Sequence, residues 1–292
     1  RIMLNLLYCL DQNYNLQTIN SIMSFLKNIN ESINIYIIHE NPESFEEYLQ
    51  KIKKEEKINK IKIKKFNKKS DIDYPNLFDR HVSIATYFRL HLEDYMEEDI
   101  DHLIYVDSDV ICISNPNNLL HELKNKLIGS KFIVCVKTIS KRLEGKFHIE
   151  EVNRLGLIND NYFNAGVMII DFNKWKNQNV SKKLINTLKE NKNKIIFWDQ
   201  DVLNSYFNGN YMELPNELSF LGTECFSGCQ NLREINIPGY LTEIRDDTFK
   251  NCYSLKTVKI PMRNVINIEL NTFPNPNIKF HFKDWTSTTF QK

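Results

Sequence analysis

Two rhythms of apolar and polar positions alternate along most of the chain. Near-continuous apolar runs occur at Ile2-Met3-Leu4-Asn5-Leu6-Leu7-Tyr8-Cys9-Leu10, at Ile33 to His39, at His102 to Val106, at Lys131 to Val136 and at Tyr162 to Asp171. Runs of this length, rich in branched and aromatic residues, predict strands buried on both faces. Between them, Leu16, Ile19, Ile22, Met23 and Leu26 recur at helical spacing, and residues 173–190 read the same way. Residues 80–96 predict an amphipathic helix with Val82, Ala85, Leu90 and Leu92 toward the core. A helix followed by a lysine-loaded strand, Ile58 to Phe66, occupies residues 41–69. The alternation of strand and helix predicts an open α/β sheet. Its first strand ends in the polar turn Asp11-Gln12-Asn13-Tyr14, where such sheets bind ligands.

The pattern changes after Leu214-Pro215. The stretch Glu224-Cys225-Phe226-Ser227-Gly228-Cys229-Gln230-Asn231-Leu232-Arg233-Glu234-Ile235-Asn236-Ile237-Pro238 returns 23 residues later as Asp247 to Pro261. Phe226 recurs as Phe249, Leu232 as Leu255, Ile235 as Val258 and Ile237 as Ile260. A degenerate third copy runs from Val265 through Phe273 to Phe282. Short repeats of this kind stack, each burying a face that it cannot bury alone. Cys229 and Cys252 hold equivalent positions, which assigns them to the buried face and not to a metal.

Composition narrows the function classes. With 38 Lys+Arg against 37 Asp+Glu, there is no electrostatic case for nucleic acid. No apolar run reaches the roughly 18 residues of a spanning helix. The six cysteines lack zinc-type CxxC spacing and read as reduced thiols of an intracellular protein. The lysines of residues 51–69 are interrupted by Glu55 and Glu56, so they read as solvated surface, with an anionic lipid surface as the other reading. Neither GxGxxG nor GxxxxGK[ST] is present. A nucleotide would have to be held by base and ribose contacts and a metal.

The candidate chemistry gathers at four places. Asp107-Ser108-Asp109 follows the strand His102 to Val106, and alternation puts the two acids on one side. Paired hard oxygens suit Mg²⁺ or Mn²⁺; a solvated polar turn is the alternative. Arg89 stands among apolar neighbours and either snorkels to the surface or pairs with a carboxylate or phosphate. Asn164-Ala165-Gly166 opens a buried strand, where glycine permits close approach of a ligand or marks a bulge. Phe197-Trp198-Asp199-Gln200-Asp201 packs two acids and an amide at a helix start, where Asp199 alone is explained as an N-cap.

Taken in order with Asp11-Gln12-Asn13-Tyr14, His81 to Leu90, Trp175 and Val202-Leu203-Asn204, these segments resemble glycosyltransferase family 8. The resemblance implies a GT-A (Rossmann-like) domain over residues 1–216, a UDP-glucose or UDP-galactose donor, Mn²⁺ (or Mg²⁺), and retention of configuration. It implies that Asp11 and Asn13 hold the uracil and ribose. Arg89 would contact donor phosphate or sugar, and Asp107 and Asp109 the metal, with Asp107 also reaching ribose or sugar. Ser108 would join the donor set. Asn164, Ala165 and Gly166 would line the sugar pocket. Asp199 would bind sugar hydroxyls and Gln200 would lie nearest the anomeric carbon, with Asp201 the alternative nucleophile. The acceptor would be a glycan or lipid-linked saccharide of lipopolysaccharide type. The location implied is cytoplasmic, with peripheral attachment at the inner membrane as a variant.

The later repeats resemble BspA-type leucine-rich repeats over residues 217–283, ahead of a tail at 284–292, and imply a protein or surface partner. The family's late His-x-x-Gly-x-x-Lys-Pro-Trp segment, with a third metal ligand, does not occur in these 292 residues. His281 is the candidate substitute; the other reading places it in the final strand of the repeats, outside the donor site. The second expectation is therefore a binding module that keeps the donor pocket without turnover.

Overall fold

The computed structural model describes residues 3–75, 83–112, 115–138, 153–158, 161–215, 232–236, 243–244, 249–261, 267–268, 273 and 278–283. The chain divides into two compact units, Arg1–Leu214 and Pro215–Lys292.

In the first unit, β1 (Leu4–Leu10) leads through a 3-10 turn into α1 (Asn15–Asn28) and then β2 (Ile33–His39), α2 (Glu46–Ile52) and β3 (Ile58–Lys65). A 3-10 segment, Ile84–His91, precedes the short α3 (Leu92–Tyr95) and β4 (His102–Val106). Then come α4 (Asn117–Ile128), β5 (Val134–Thr138), β6 (Phe163–Asp171), α5 (Phe172–Asn177), α6 (Val180–Asn191), α7 (Trp198–Phe207) and β7 (Met212–Glu213). The sheet order is β3-β2-β1-β4-β6-β5-β7. Strands β1 to β4 run parallel, and β6 is antiparallel to both β4 and β5.

Alternation along the strands sorts their side chains into two cores. Leu4, Leu6, Tyr8 and Leu10 of β1 pack with Ile19, Ile22, Phe25 and Leu26 of α1 and with Leu120, Leu123 and Leu127 of α4. Leu7 and Cys9 point the other way, toward Phe88, Trp175, Leu184, Val202 and Phe207. Helices thus cover both faces of the sheet. Within α1, Leu16 and Met23 are exposed and Phe25 takes their place in the core.

Residues 84–95 differ from the expected amphipathic helix. Ser83 caps the segment by accepting from the Ala85 N–H at 3.1 Å, and the turns are 3-10 until Leu92. Ala85, Tyr87, Phe88, Arg89, Leu90 and His91 are all buried, so no polar stripe exists. Val82 and His81 lie outside the described residues. The expected helix 173–190 is broken at Asn179, which takes a left-handed φ of 52° before α6. The strand expected at 131–136 begins three residues later, at Val134.

The second unit has two small parallel sheets. Strands β8 (Glu234–Asn236), β10 (Thr257–Pro261) and β12 (Lys279–Lys283) form one; β9 (Glu243–Ile244) and β11 (Asn267–Ile268) form the other. Ile235 pairs with Val258, which pairs with Phe280. Successive repeats therefore supply successive rungs. Phe249, Cys252, Leu255 and Val258 are fully buried together, with Leu232, Ile235 and Phe273 against them. Cys252 takes the buried role expected of it; Cys229 and Phe226 lie outside the described residues.

Candidate active site

The carboxyl ends of β1 and β4, the start of β6 and the start of α7 meet around one cation. Arg89 is buried, and burial alone would pull its guanidinium down. Asp199, Tyr105 and Asp107 outweigh that and hold it charged. Its Nε donates to Asp199 Oδ2, and its Nη1 donates to the Ala165 carbonyl at 2.7 Å and to Asp107 Oδ1 at 3.3 Å. The guanidinium lies over the Tyr105 ring, 4.4 Å from its centroid. Of the two expectations for Arg89, the carboxylate pair is the one found.

The two acids after β4 are not presented alike. The strand ends at Val106, and Asp107 is tied down by its N–H to the Gly166 carbonyl at 2.8 Å. A turn follows, closed by the Val110 N–H on the Asp107 carbonyl at 3.1 Å. Alternation therefore stops before Asp109, correcting the expectation of two acids on one strand face. Asp107 Oδ1 accepts from the Tyr105 hydroxyl at 2.7 Å. The Asp109 side chain reaches solvent, yet close-packed protein atoms and the Asp107 charge push its carboxyl up to about 6. Ser108 turns inward and is buried, its hydroxyl 2.8 Å from that of Thr18 on α1.

Gly166 is a steric requirement. A Cβ there would lie 2.9 Å from Asp107 Oδ2 and 2.9 Å from Asn164 Oδ1. The glycine admits the Asp107 carboxylate, and its N–H holds Asn164 Oδ1 at 2.9 Å. The bulge reading also holds: Cys135 and Lys137 of β5 pair with Ile169 and Asn164, so β6 carries the extra residues between them, Gly166 included. Ala165 is fully buried, with its N–H 3.1 Å from Gln200 Oε1.

At the start of α7, Trp198 adopts a left-handed φ of 47°, which costs of order 1 kcal/mol for a bulky residue. Phe197, not Asp199, is the cap residue. Asp199 instead serves Arg89, and burial lifts its carboxyl above the ordinary range against that pull. Gln200 is half-buried and aligned with Asn164 and Ala165. Asp201 is fully buried. It accepts from Arg154 Nη1 and Nη2 at 2.9 and 3.1 Å, from the Tyr162 hydroxyl at 2.8 Å, and from the N–H groups of Ile196 and Phe197 at 2.8 Å each. Five donors fill its lone pairs, so the expectation of Asp201 as a nucleophile is not met by the geometry.

Asp11 is buried and accepts from the Asn13 N–H at 2.7 Å, capping the 3-10 turn Gln12–Tyr14, while the Asn13 side chain is exposed. Next to it, Tyr14 is raised by burial and then by Asp109, Asp11 and Asp107, so its hydroxyl shares their field. His281 is exposed on β12 of the second unit.

The structure thus unites Arg89, Asp107, Asn164, Ala165, Gly166, Asp199 and Gln200. It adds Tyr105, Thr18, Arg154 and a role for Tyr162, none of which was singled out from sequence. Tyr105 and Tyr162 stand two positions before Asp107 and Asn164, and alternation alone would have put each pair on one side. Asp107 and Asp109 offer hard oxygens suited to Mg²⁺ or Mn²⁺, whose remaining positions substrate phosphates commonly fill. Among the described residues no third His, Cys, Asp or Glu completes a metal-holding group.

Residues 5–236 match the family model for glycosyl transferase family 8, and residues 199–288 match that for the BspA type leucine rich repeat region. A lipopolysaccharide 1,2-glucosyltransferase of Escherichia coli K12 is 30% identical over 222 residues, 75% of this chain and 63% of that protein. A lipopolysaccharide 1,3-galactosyltransferase of Salmonella typhimurium is 30% identical over 129 residues, 44% of this chain and 37% of that one. The chain thus spans less than two thirds of the length of either relative. The galactosyltransferase LgtC, crystallised with donor and acceptor sugar analogs, has a similar fold: TM-score 0.63 at 20% identity, covering 81% of this chain and 77% of that one.

Proposed function

The chain belongs to glycosyltransferase family 8 and carries a BspA-type leucine-rich repeat region, and from that premise we propose that it is a retaining hexosyltransferase using UDP-glucose or UDP-galactose with Mn²⁺ or Mg²⁺. The observation that carries this is the convergence on Arg89 of Asp107 from the turn after β4, the Ala165 carbonyl from β6 and Asp199 from α7. One buried cation thereby fixes the metal-side acid, the strand beside the sugar and the helix start as a single rigid unit.

In this function Asp107 and Asp109 hold the divalent cation, which would offset the charge that develops on departing UDP. Asp11 and Asn13 receive the uracil and ribose, with Ser108 locking the turn between them and the acids. Asn164 and Gly166 line the sugar pocket. Asp199 orders sugar hydroxyls while neutralising Arg89. Gln200 lies nearest the anomeric carbon. A glutamine amide is a poor nucleophile, and Asp201 is saturated, which favours front-face transfer through an oxocarbenium-like state over a covalent adduct. The acceptor hydroxyl would attack from the face that UDP leaves. A glycan or lipid-linked acceptor is proposed from the kinship to lipopolysaccharide glycosyltransferases. The repeat region is proposed to bind a protein or surface partner.

A second function, donor binding without turnover, is favoured by one observation: the sequence holds no His-x-x-Gly-x-x-Lys-Pro-Trp segment. A donor screen separates the two. The full chain is incubated with UDP-glucose and UDP-galactose, with Mn²⁺ and with excess chelator. Metal-dependent release of UDP supports the transferase. Metal-dependent binding without release supports the binding module.

A further inference from the structure

Gln200 is held from both ends of its amide. Its Oε1 accepts from the Ala165 N–H at 3.1 Å, a group that only donates. Its Nε2 lies 3.2 Å from the Tyr162 hydroxyl oxygen. Tyr162 is buried, and its own proton goes to Asp201 Oδ1 at 2.8 Å. The direction of that bond is forced. Asp201 already takes two N–H groups from Arg154 and one each from Ile196 and Phe197, so both its oxygens are occupied as acceptors and it offers the phenol lone pairs only. Burial and the Asp201 charge both push the Tyr162 phenol up, so it keeps its proton. With that proton committed, the phenol oxygen offers Gln200 only lone pairs. A flipped Gln200 would set an NH₂ against the Ala165 N–H and a carbonyl against an oxygen with no proton to share. Both contacts would be repulsive.

We propose that Tyr162 is a positioning residue that fixes the amide orientation of Gln200, with Asp201 and Arg154 setting the direction of the relay. This rests on the donor-site function proposed above, in which Gln200 faces the anomeric carbon. It gives Asp201 a use other than attack: the acid orders the phenol, and the phenol orders the amide. It also explains why Arg154, distant in sequence, reaches into the start of α7.

The test uses the full chain labelled with [¹⁵N]glutamine, the Gln200 side-chain amide being assigned by its loss in Gln200→Ala. In the wild-type protein, the Gln200 amide hydrogens should exchange with solvent at least tenfold more slowly than those of exposed Gln12. Equal rates would overturn the proposal without any variant. In Tyr162→Phe, which removes only the hydroxyl, exchange at Gln200 should rise at least tenfold. Hydrolysis of the UDP-sugar should lose at least tenfold in kcat while KM stays within twofold, a split that a general loosening of the fold would not give. A folded Tyr162→Phe with unchanged exchange, or with kcat within twofold of an active wild type, would overturn it. If the wild type hydrolyses neither UDP-sugar, the transferase function fails, and the amide exchange still decides the positioning role by itself.

Discussion

Arg89 and Asp199, 110 residues apart in sequence, form an ion pair with side-chain exposures of only 5% and 2%. Burying one charge without the other is costly. Arg89→Met should therefore destabilise the protein by about 3–5 kcal/mol, because Asp199 is left desolvated. The double variant Arg89→Met with Asp199→Leu should recover part of that loss. Urea unfolding of the four proteins measures the coupling. A single variant within about 0.5 kcal/mol of wild type, the range of unremarkable surface changes, would show that the pair is not the fixed centre described above.

Gly166→Ala tests the close approach of Asp107. The new methyl would meet Asp107 Oδ2 and Asn164 Oδ1, both at 2.9 Å. One carboxylate or one amide must move, and both belong to the proposed donor site. The variant should fold, yet bind UDP with Mn²⁺ at least tenfold more weakly, a loss of about 1.4 kcal/mol. Calorimetric titration checks this, and unchanged affinity would mean that Asp107 can shift without consequence.

Asp201→Asn separates a structural acid from a reacting one. An amide in this place presents an NH₂ where the carboxylate met only donors. The expected outcome is a destabilisation of about 3 kcal/mol or more, read by thermal or urea unfolding. A protein as stable as wild type would show that the Asp201 carboxylate is not the fixed structural acceptor described above.

His39 gives the fold a pH dependence of known sign. Its Nε2 and Asn15 Oδ1 are 2.8 Å apart, and its Nδ1 accepts from the Asn41 N–H at 2.8 Å, which requires the neutral ring. Burial, opposed by Asp11, lowers its pKa from 6.5 to about 4. Between these values the unfolded chain binds a proton that the folded one refuses. Stability should therefore be full above pH 6.5 and fall by up to about 3 kcal/mol as the pH drops toward 4. Comparing urea midpoints of wild type and His39→Gln across that window isolates the contribution. Equal slopes would contradict it.

Much of the sheet was legible because strands buried on both faces leave long apolar runs, and β1, β2, β4 and β6 all do so. Gly166 was legible as a point of close approach, although the group that approaches is the chain's own Asp107. The 3-10 character of residues 84–91 was not legible, since a segment buried on nearly every side carries no stripe to count. Nor was the saturation of Asp201. Its partners Tyr162 and Arg154 lie 39 and 47 residues away, and only the fold brings them to it. Local spacing could show that the acids near Gln200 matter, but not which one is already fully used.

The most direct measurement of the central claim is a titration of UDP into the full chain, once with Mn²⁺ and once in excess chelator, repeated with Asp109→Ala. Asp109 is exposed and feels the charge of Asp107, and its hard oxygens are of the kind that suits Mn²⁺. The expected result is that the wild type binds UDP at least tenfold more tightly with Mn²⁺ and that Asp109→Ala loses this difference. Equal affinity of the wild type in Mn²⁺ and in chelator would contradict a metal-assisted nucleotide-sugar site built on these two acids.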